Sequence, residues 1–61
     1  MLTPREKEIE RLMIQGKSTD EIAAALFISN QTAKTHRKNI LKRLGVKNTV
    51  QLILLANKQS G

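Results

Sequence analysis

The chain has 61 residues, room for one small domain that buries only about 60% of its unfolded surface, which excludes a large core and makes an enzyme improbable. It has no cysteine and a single histidine, His36, so disulfides and thiolate metal sites are excluded, and no metal or cofactor is expected. Eleven Lys and Arg against five Asp and Glu leave a net charge of +6, and the two signs are segregated. All five acids lie within the first 21 residues; from Ile22 onward there are seven basic residues and no acid. A positive field unrelieved over most of a small domain points to a polyanion, with nucleic acid the first candidate and a merely solubilising face the bland alternative. The longest apolar runs, Ile22 to Ile28 and Leu52 to Ala56, are far short of the roughly 20 residues that span a bilayer. No signal peptide is read, because the chain opens directly on a charged helical pattern. A cytoplasmic protein without a membrane partner is the expectation.

Four helices are predicted, at about 3–15, 18–26, 30–44 and 49–58, giving an all-α, bundle-like single domain over residues 1–61. Thr3-Pro4-Arg5-Glu6 offers a capping threonine, a proline at the first helical position and a glutamate at the third. Ile9, Leu12 and Met13 make one apolar stripe, and Gly16 stops the helix. Ser18-Thr19-Asp20-Glu21 is a second capping box, opening a helix of about two turns that carries Ile22, Ala23 and Leu26. Ser29 caps a third helix, which ends at Gly45 with Lys42 and Arg43 in its last turn. Asn48 caps a fourth, with Gln51 at its third helical position, and Gln59-Ser60-Gly61 is expected to fray.

Turned at about 100° per residue, the third helix sorts into two faces. Ala33, Ile40, Leu41, Leu44 and the stem of Arg37 fall on the core side. Gln31, Lys34, Thr35, Lys38 and Lys42 fall on the other. A short helix, a tight turn and a longer helix with a basic outer face make the helix-turn-helix plan, in which the second helix fits the DNA major groove. Ala23 lets the two helices cross closely.

The residues then become more specific. Leu2-Thr3-Pro4-Arg5-Glu6, Glu8-Ile9, Leu12, Gly16, Ser18, Glu21-Ile22-Ala23, Leu26, Ile28-Ser29, Thr32, Lys34, His36, Asn39-Ile40, Leu44-Gly45-Val46 and Asn48 stand in register. Together they resemble the LuxR-type (GerE-type) helix-turn-helix domain of bacterial transcription regulators, over Leu2 to about Ala56. Ala33 departs from the valine usual there, which thins the packing under the third helix. The resemblance implies a sequence-specific, double-stranded DNA-binding domain. It also implies that the chain is a C-terminal fragment of a longer regulator with a receiver or ligand-sensing domain upstream.

By the same resemblance, base contacts fall on Lys34, Thr35 and Lys38, while Gln31 can read adenine or hold a phosphate. Asn30, Thr32, Lys42, Arg43 and Lys47 suit backbone contacts, and His36 suits packing or one phosphate contact. No nucleophile accompanies His36, so catalysis is not expected. The fourth helix is apolar on both sides. Val50, Ile53 and Leu54 form one stripe, and Leu52, Leu55 and Ala56 the other. The resemblance implies a homodimer on DNA through this helix, and Leu52, Leu55 and Ala56 are the expected interface. The rival function is a helix-turn-helix module that docks a protein such as RNA polymerase.

Overall fold

The computed structural model describes residues 2–60, with side chains to residue 58. Its helices are α1 (Pro4–Ile14), α2 (Thr19–Leu26), α3 (Asn30–Leu44) and α4 (Thr49–Ser60), and there is no strand among the described residues. The all-α expectation holds. The ends agree to within two residues; α4 continues through Ser60, so the expected fraying at Gln59 and Ser60 is not seen in the backbone. Gly61 lies outside the described residues.

Each helix begins where a side chain can satisfy backbone N–H groups that have no partner inside the first turn. The Thr3 hydroxyl accepts from the Glu6 amide at 3.2 Å, and the Glu6 carboxylate accepts in return from the Thr3 amide at 3.0 Å. Ser18 and Glu21 repeat the exchange at 3.1 and 2.8 Å. Ser29 accepts from the Thr32 amide at 3.1 Å, without the reciprocal bond because a threonine stands where glutamate would. At α4 the Asn48 side-chain oxygen Oδ1 accepts from the Gln51 amide, while the Gln51 side chain reaches one residue further back, accepting from the Lys47 amide, both at 2.9 Å.

The first three helices end in one common way. After α1, Gly16 and Lys17 donate to the carbonyls of Met13 and Leu12; after α3, Gly45 and Val46 donate to those of Lys42 and Leu41. After α2, Phe27 and Ile28 donate to the carbonyls of Ala24 and Ala23. This paired closure requires a left-handed residue. Glycine supplies it at Gly16 and Gly45, but Phe27 adopts it at φ 56° with an aromatic side chain that is 94% exposed.

The core is seven side chains: Ile9 and Met13 of α1, Ile22 and Ala23 of α2, Ala33 and Ile40 of α3, and Leu52 of α4. Each large one contributes about 1.5–3 kcal/mol relative to its exposed state. Leu2, Leu12, Ile14, Leu26, Ile28, Leu41, Leu44 and Val46 pack partly buried around them. α1 touches each of the other helices, and α2 packs closely on α3, each contributing a small buried alanine to the core, Ala23 and Ala33. Glu6 is also buried, at 5% exposure, and its carboxylate meets the Arg43 guanidinium at 2.8 Å, pinning the start of α1 to the end of α3.

Two predictions concern stability. A Cβ built on Gly45 would meet nothing within 4 Å, so Gly45→Ala should cost about 1 kcal/mol through backbone conformation alone. Phe27→Gly should gain up to about 1 kcal/mol, with glycine's chain entropy offsetting part of it; urea unfolding of both variants checks the pair. The second concerns acid. The Thr3 amide, with help from Arg43, holds the Glu6 carboxyl below its ordinary 4.5, and the Ser18 amide does the same for Glu21. A depressed carboxyl stabilises the fold in full at neutral pH, and that contribution drains away as pH falls from the ordinary value through the lowered one. Glu6→Gln and Glu21→Gln should each flatten the acid limb of the stability profile, measured by thermal melts between pH 7 and pH 2.

Candidate nucleic-acid interface

The geometry of the site follows from which side of α3 is buried. Ala33 and Ile40 are wholly buried, with Leu41 and Leu44 half-buried beside them. At about 100° per residue this turns Gln31, Lys34, Thr35, Lys38 and Lys42 to the opposite side, and all five are exposed. They are brought together on one face of a 15-residue helix, about 22 Å long. Thr35 donates its hydroxyl to the Gln31 carbonyl of the preceding turn at 3.1 Å. Its own polar group is therefore satisfied, and the methyl is what it can offer a ligand. The three lysines are the charges of this face, and no acid occurs anywhere in α3.

The expected backbone-contacting residues do not form one set. Lys42 shares the outer face, and Lys47 is exposed in the α3–α4 connection. Thr32, His36 and Arg43 share one flank of α3, on which Arg43 pairs with the Glu6 carboxylate of α1. Arg43 keeps about half its side chain exposed while making that ion pair, so any anion it meets must share it with Glu6. Thr32 accepts from the Ser29 hydroxyl at 2.9 Å. Asn30, half-buried, donates its side-chain amide to the Asp20 carboxylate of α2. That bond engages the side-chain amide of Asn30.

Arg37 was legible only as a stem on the core side. Its guanidinium donates to two hydroxyls, Thr19 at the first residue of α2 and Thr49 at the first residue of α4, the latter at 2.9 Å. The signal available was a cation inside a core stripe together with a threonine at the start of two helices.

On α4 one expectation is corrected. Leu52 is 1% exposed and belongs to the core, so it cannot lie in an interface. Leu55 and Ala56 are half-buried. The large apolar side chains turned outward are Val50 and Leu54, at 65% and 61% exposure. The wheel had no contrast to work with, because both sides of this helix are apolar; packing against α1 decides which one turns in.

Comparison with known proteins places the chain in a family. Residues 1–56 match the family described as GerE, bacterial regulatory proteins, luxR family. The transcriptional regulatory protein MctR of Rhizobium johnstonii is 51% identical over 55 residues, 90% of this chain and 26% of MctR. The spore germination protein GerE of Bacillus subtilis is 44% identical over 54 residues, 88% of this chain and 73% of GerE. The transcriptional regulatory protein UhpA of Escherichia coli is 43% identical over 51 residues, 84% of this chain and 26% of UhpA. The chain thus spans about a quarter of MctR and UhpA.

The two sides of α4 should separate in stability. Leu52→Ala should cost about 2–5 kcal/mol as a core truncation, a large share of what so small a domain can muster. Leu54→Ala should stay within about 0.5 kcal/mol. Thermal unfolding of the two variants checks this, and equal losses would contradict the assignment of faces.

Proposed function

The chain belongs to the luxR family of bacterial regulatory proteins, and from that premise we propose that it binds double-stranded DNA sequence-specifically by laying the outward face of α3 in the major groove. The observation that carries the reading is that Gln31, Lys34, Thr35, Lys38 and Lys42 are exposed together while Ala33 and Ile40 of the same helix are buried. An α-helix fits the width of the major groove. The buried stripe supports this reading, because it leaves only the opposite side of α3 free to enter a groove.

The roles follow from donor chemistry. Lys34 and Lys38 donate to guanine O6 and N7, the Thr35 methyl packs on a thymine methyl, and the Gln31 amide pairs with adenine or holds a phosphate. Lys42, Lys47 and Thr32 take phosphates and fix register without reading sequence. His36 and Arg43 reach phosphate only from their shared flank of α3, Arg43 in competition with Glu6, and Asn30 only in competition with Asp20. The net charge of +6 supplies the salt-dependent attraction common to all sequences.

The partner arrangement we propose is a homodimer on DNA, formed through α4. Val50 and Leu54 stand one helical turn apart and are both mostly exposed, a small self-complementary patch of the kind a two-fold axis can pair. So small a patch makes a weak contact in the free domain, strengthened when DNA holds two copies side by side. We propose further that the chain is the DNA-binding part of a longer regulator, in which an upstream receiver or ligand-sensing domain governs access to that pairing. The family is one of transcription regulators rather than enzymes. No helix among the described residues is long and apolar enough to cross a membrane, and a cytoplasmic site of action fits a bacterial regulator.

Selection of bound duplexes from a random library tests the reading, with the selected sequence then used to sort the contacts. Lys38→Ala should cost about 1–3 kcal/mol on that sequence and relax preference at one base pair, whereas Lys42→Ala should weaken all sequences alike and reduce the salt slope by about 1. No enrichment by a folded domain would favour protein docking instead. Leu54→Glu should weaken binding to two half-sites more than to one; equal losses would contradict pairing through α4.

A further inference from the structure

Arg37 occupies an expensive position. It lies on the buried stripe of α3 between Ala33 and Ile40, neither of which has any exposed surface. Its Nε is buried without a hydrogen-bond partner, and no carboxylate lies within 4 Å of it among the described residues. Its two bonds go to hydroxyls at the first residues of α2 and α4, where each helix presents the positive end of its dipole. A leucine or methionine of similar volume would fill this space without that desolvation and without that repulsion. What an apolar residue cannot do is hold two hydroxyls at a set separation. The planar guanidinium fork does this, because its donors diverge at fixed angles.

The two hydroxyls belong to helices with different attachments. α2 packs closely on α3, whereas α4 packs principally on α1. Arg37 therefore ties the first residue of α4 directly to the helix that carries Lys34 and Lys38, at the residue next to Lys38 and three after Lys34. We propose that Arg37 is a positioning residue that clamps α4 to the α2–α3 pair, and so sets the spacing at which two copies engage DNA. The second half of that statement rests on the pairing through α4 proposed above. The clamp itself does not. Arg37 touches no base in this account; it fixes the angle between the surface that reads and the surface that pairs.

The test uses Arg37→Met, which keeps the stem and removes the fork, and Thr49→Val, which removes only the α4 acceptor at almost unchanged volume. Thr19→Val, which loosens the α2 arm, is the comparison. Residual dipolar couplings of the free 61-residue chain report whether α4 keeps its orientation relative to α2 and α3. In the parent and in Thr19→Val, one orientation should fit α3 and α4 together; in Arg37→Met and Thr49→Val, the α4 couplings should depart from it. Duplexes carrying one selected half-site, or two at successive spacings, supply the second readout. Single-site affinity should stay within about twofold, while the preference for the best spacing falls roughly tenfold or more, the scale of one charge-assisted hydrogen bond.

Unchanged α4 couplings in both variants would overturn the clamp. A loss of single-site affinity as large as the loss at paired sites would overturn the positioning role, since a general structural defect or a direct DNA contact produces that pattern. Should the parent show no spacing preference, it is pairing through α4 that fails, and the couplings alone decide the clamp. Thr49→Val decides it if Arg37→Met does not fold.

Discussion

Everything in this domain depends on the single stripe of α3 that is buried. With 61 residues and seven core side chains, there is apolar cover for only one side of the longest internal helix. Ala33 and Ile40 fix that side, and α2 packs on α3 with a small buried alanine on each helix, Ala23 and Ala33. The opposite side is then exposed by necessity, and it carries the lysines. A shift of the stripe by one residue would rotate α3 by about 100° and take Lys34 and Lys38 off the presented face. The packing of a few aliphatic groups thus decides which polar groups of α3 are exposed.

The charges reinforce the arrangement by being kept apart. The five acids are spent early in the chain. Glu6 and Glu21 cap helices, and Asp20 takes the Asn30 amide. Glu6 also holds Arg43 at 2.8 Å, so a cation at the far end of α3 is used to secure α1. The outer face is left with no competing carboxylate of its own helix. Its lysines must be neutralised from outside, by counterions or by phosphates that displace them.

Much of this was legible in the residues because it is local. Caps and stops act within four or five positions, and Thr3, Ser18, Ser29, Asn48, Gly16 and Gly45 all do what their types suggest. The outer face of α3 was legible for the same reason, since a polar side and an apolar side alternate cleanly along one helix. What was not legible depends on which elements meet. The apolar residues of α4 surround its axis, so only contact with α1 could show that Leu52 turns in and Leu54 out. Phe27 carries no turn signal in its type, yet it takes, at the end of α2, the left-handed conformation that glycine holds elsewhere. Arg37 was read as a core-side stem, and Arg43 and Asn30 as contacts to the DNA backbone. Their partners lie 18, 37 and 10 residues away in the chain, beyond the reach of a spacing argument.

The central claim is that the outward face of α3 is where DNA is met. The most direct measurement follows the amide shifts of the isotope-labelled chain as a mixed-sequence duplex of about 20 base pairs is added, at low and at higher salt; non-specific affinities of about 10⁻⁴ to 10⁻⁶ M are within its reach. Shifts concentrated between Asn30 and Arg43 that fade as salt is raised are the predicted result. A folded domain whose shifts centre on α4, or that shows none along α3, would contradict the claim.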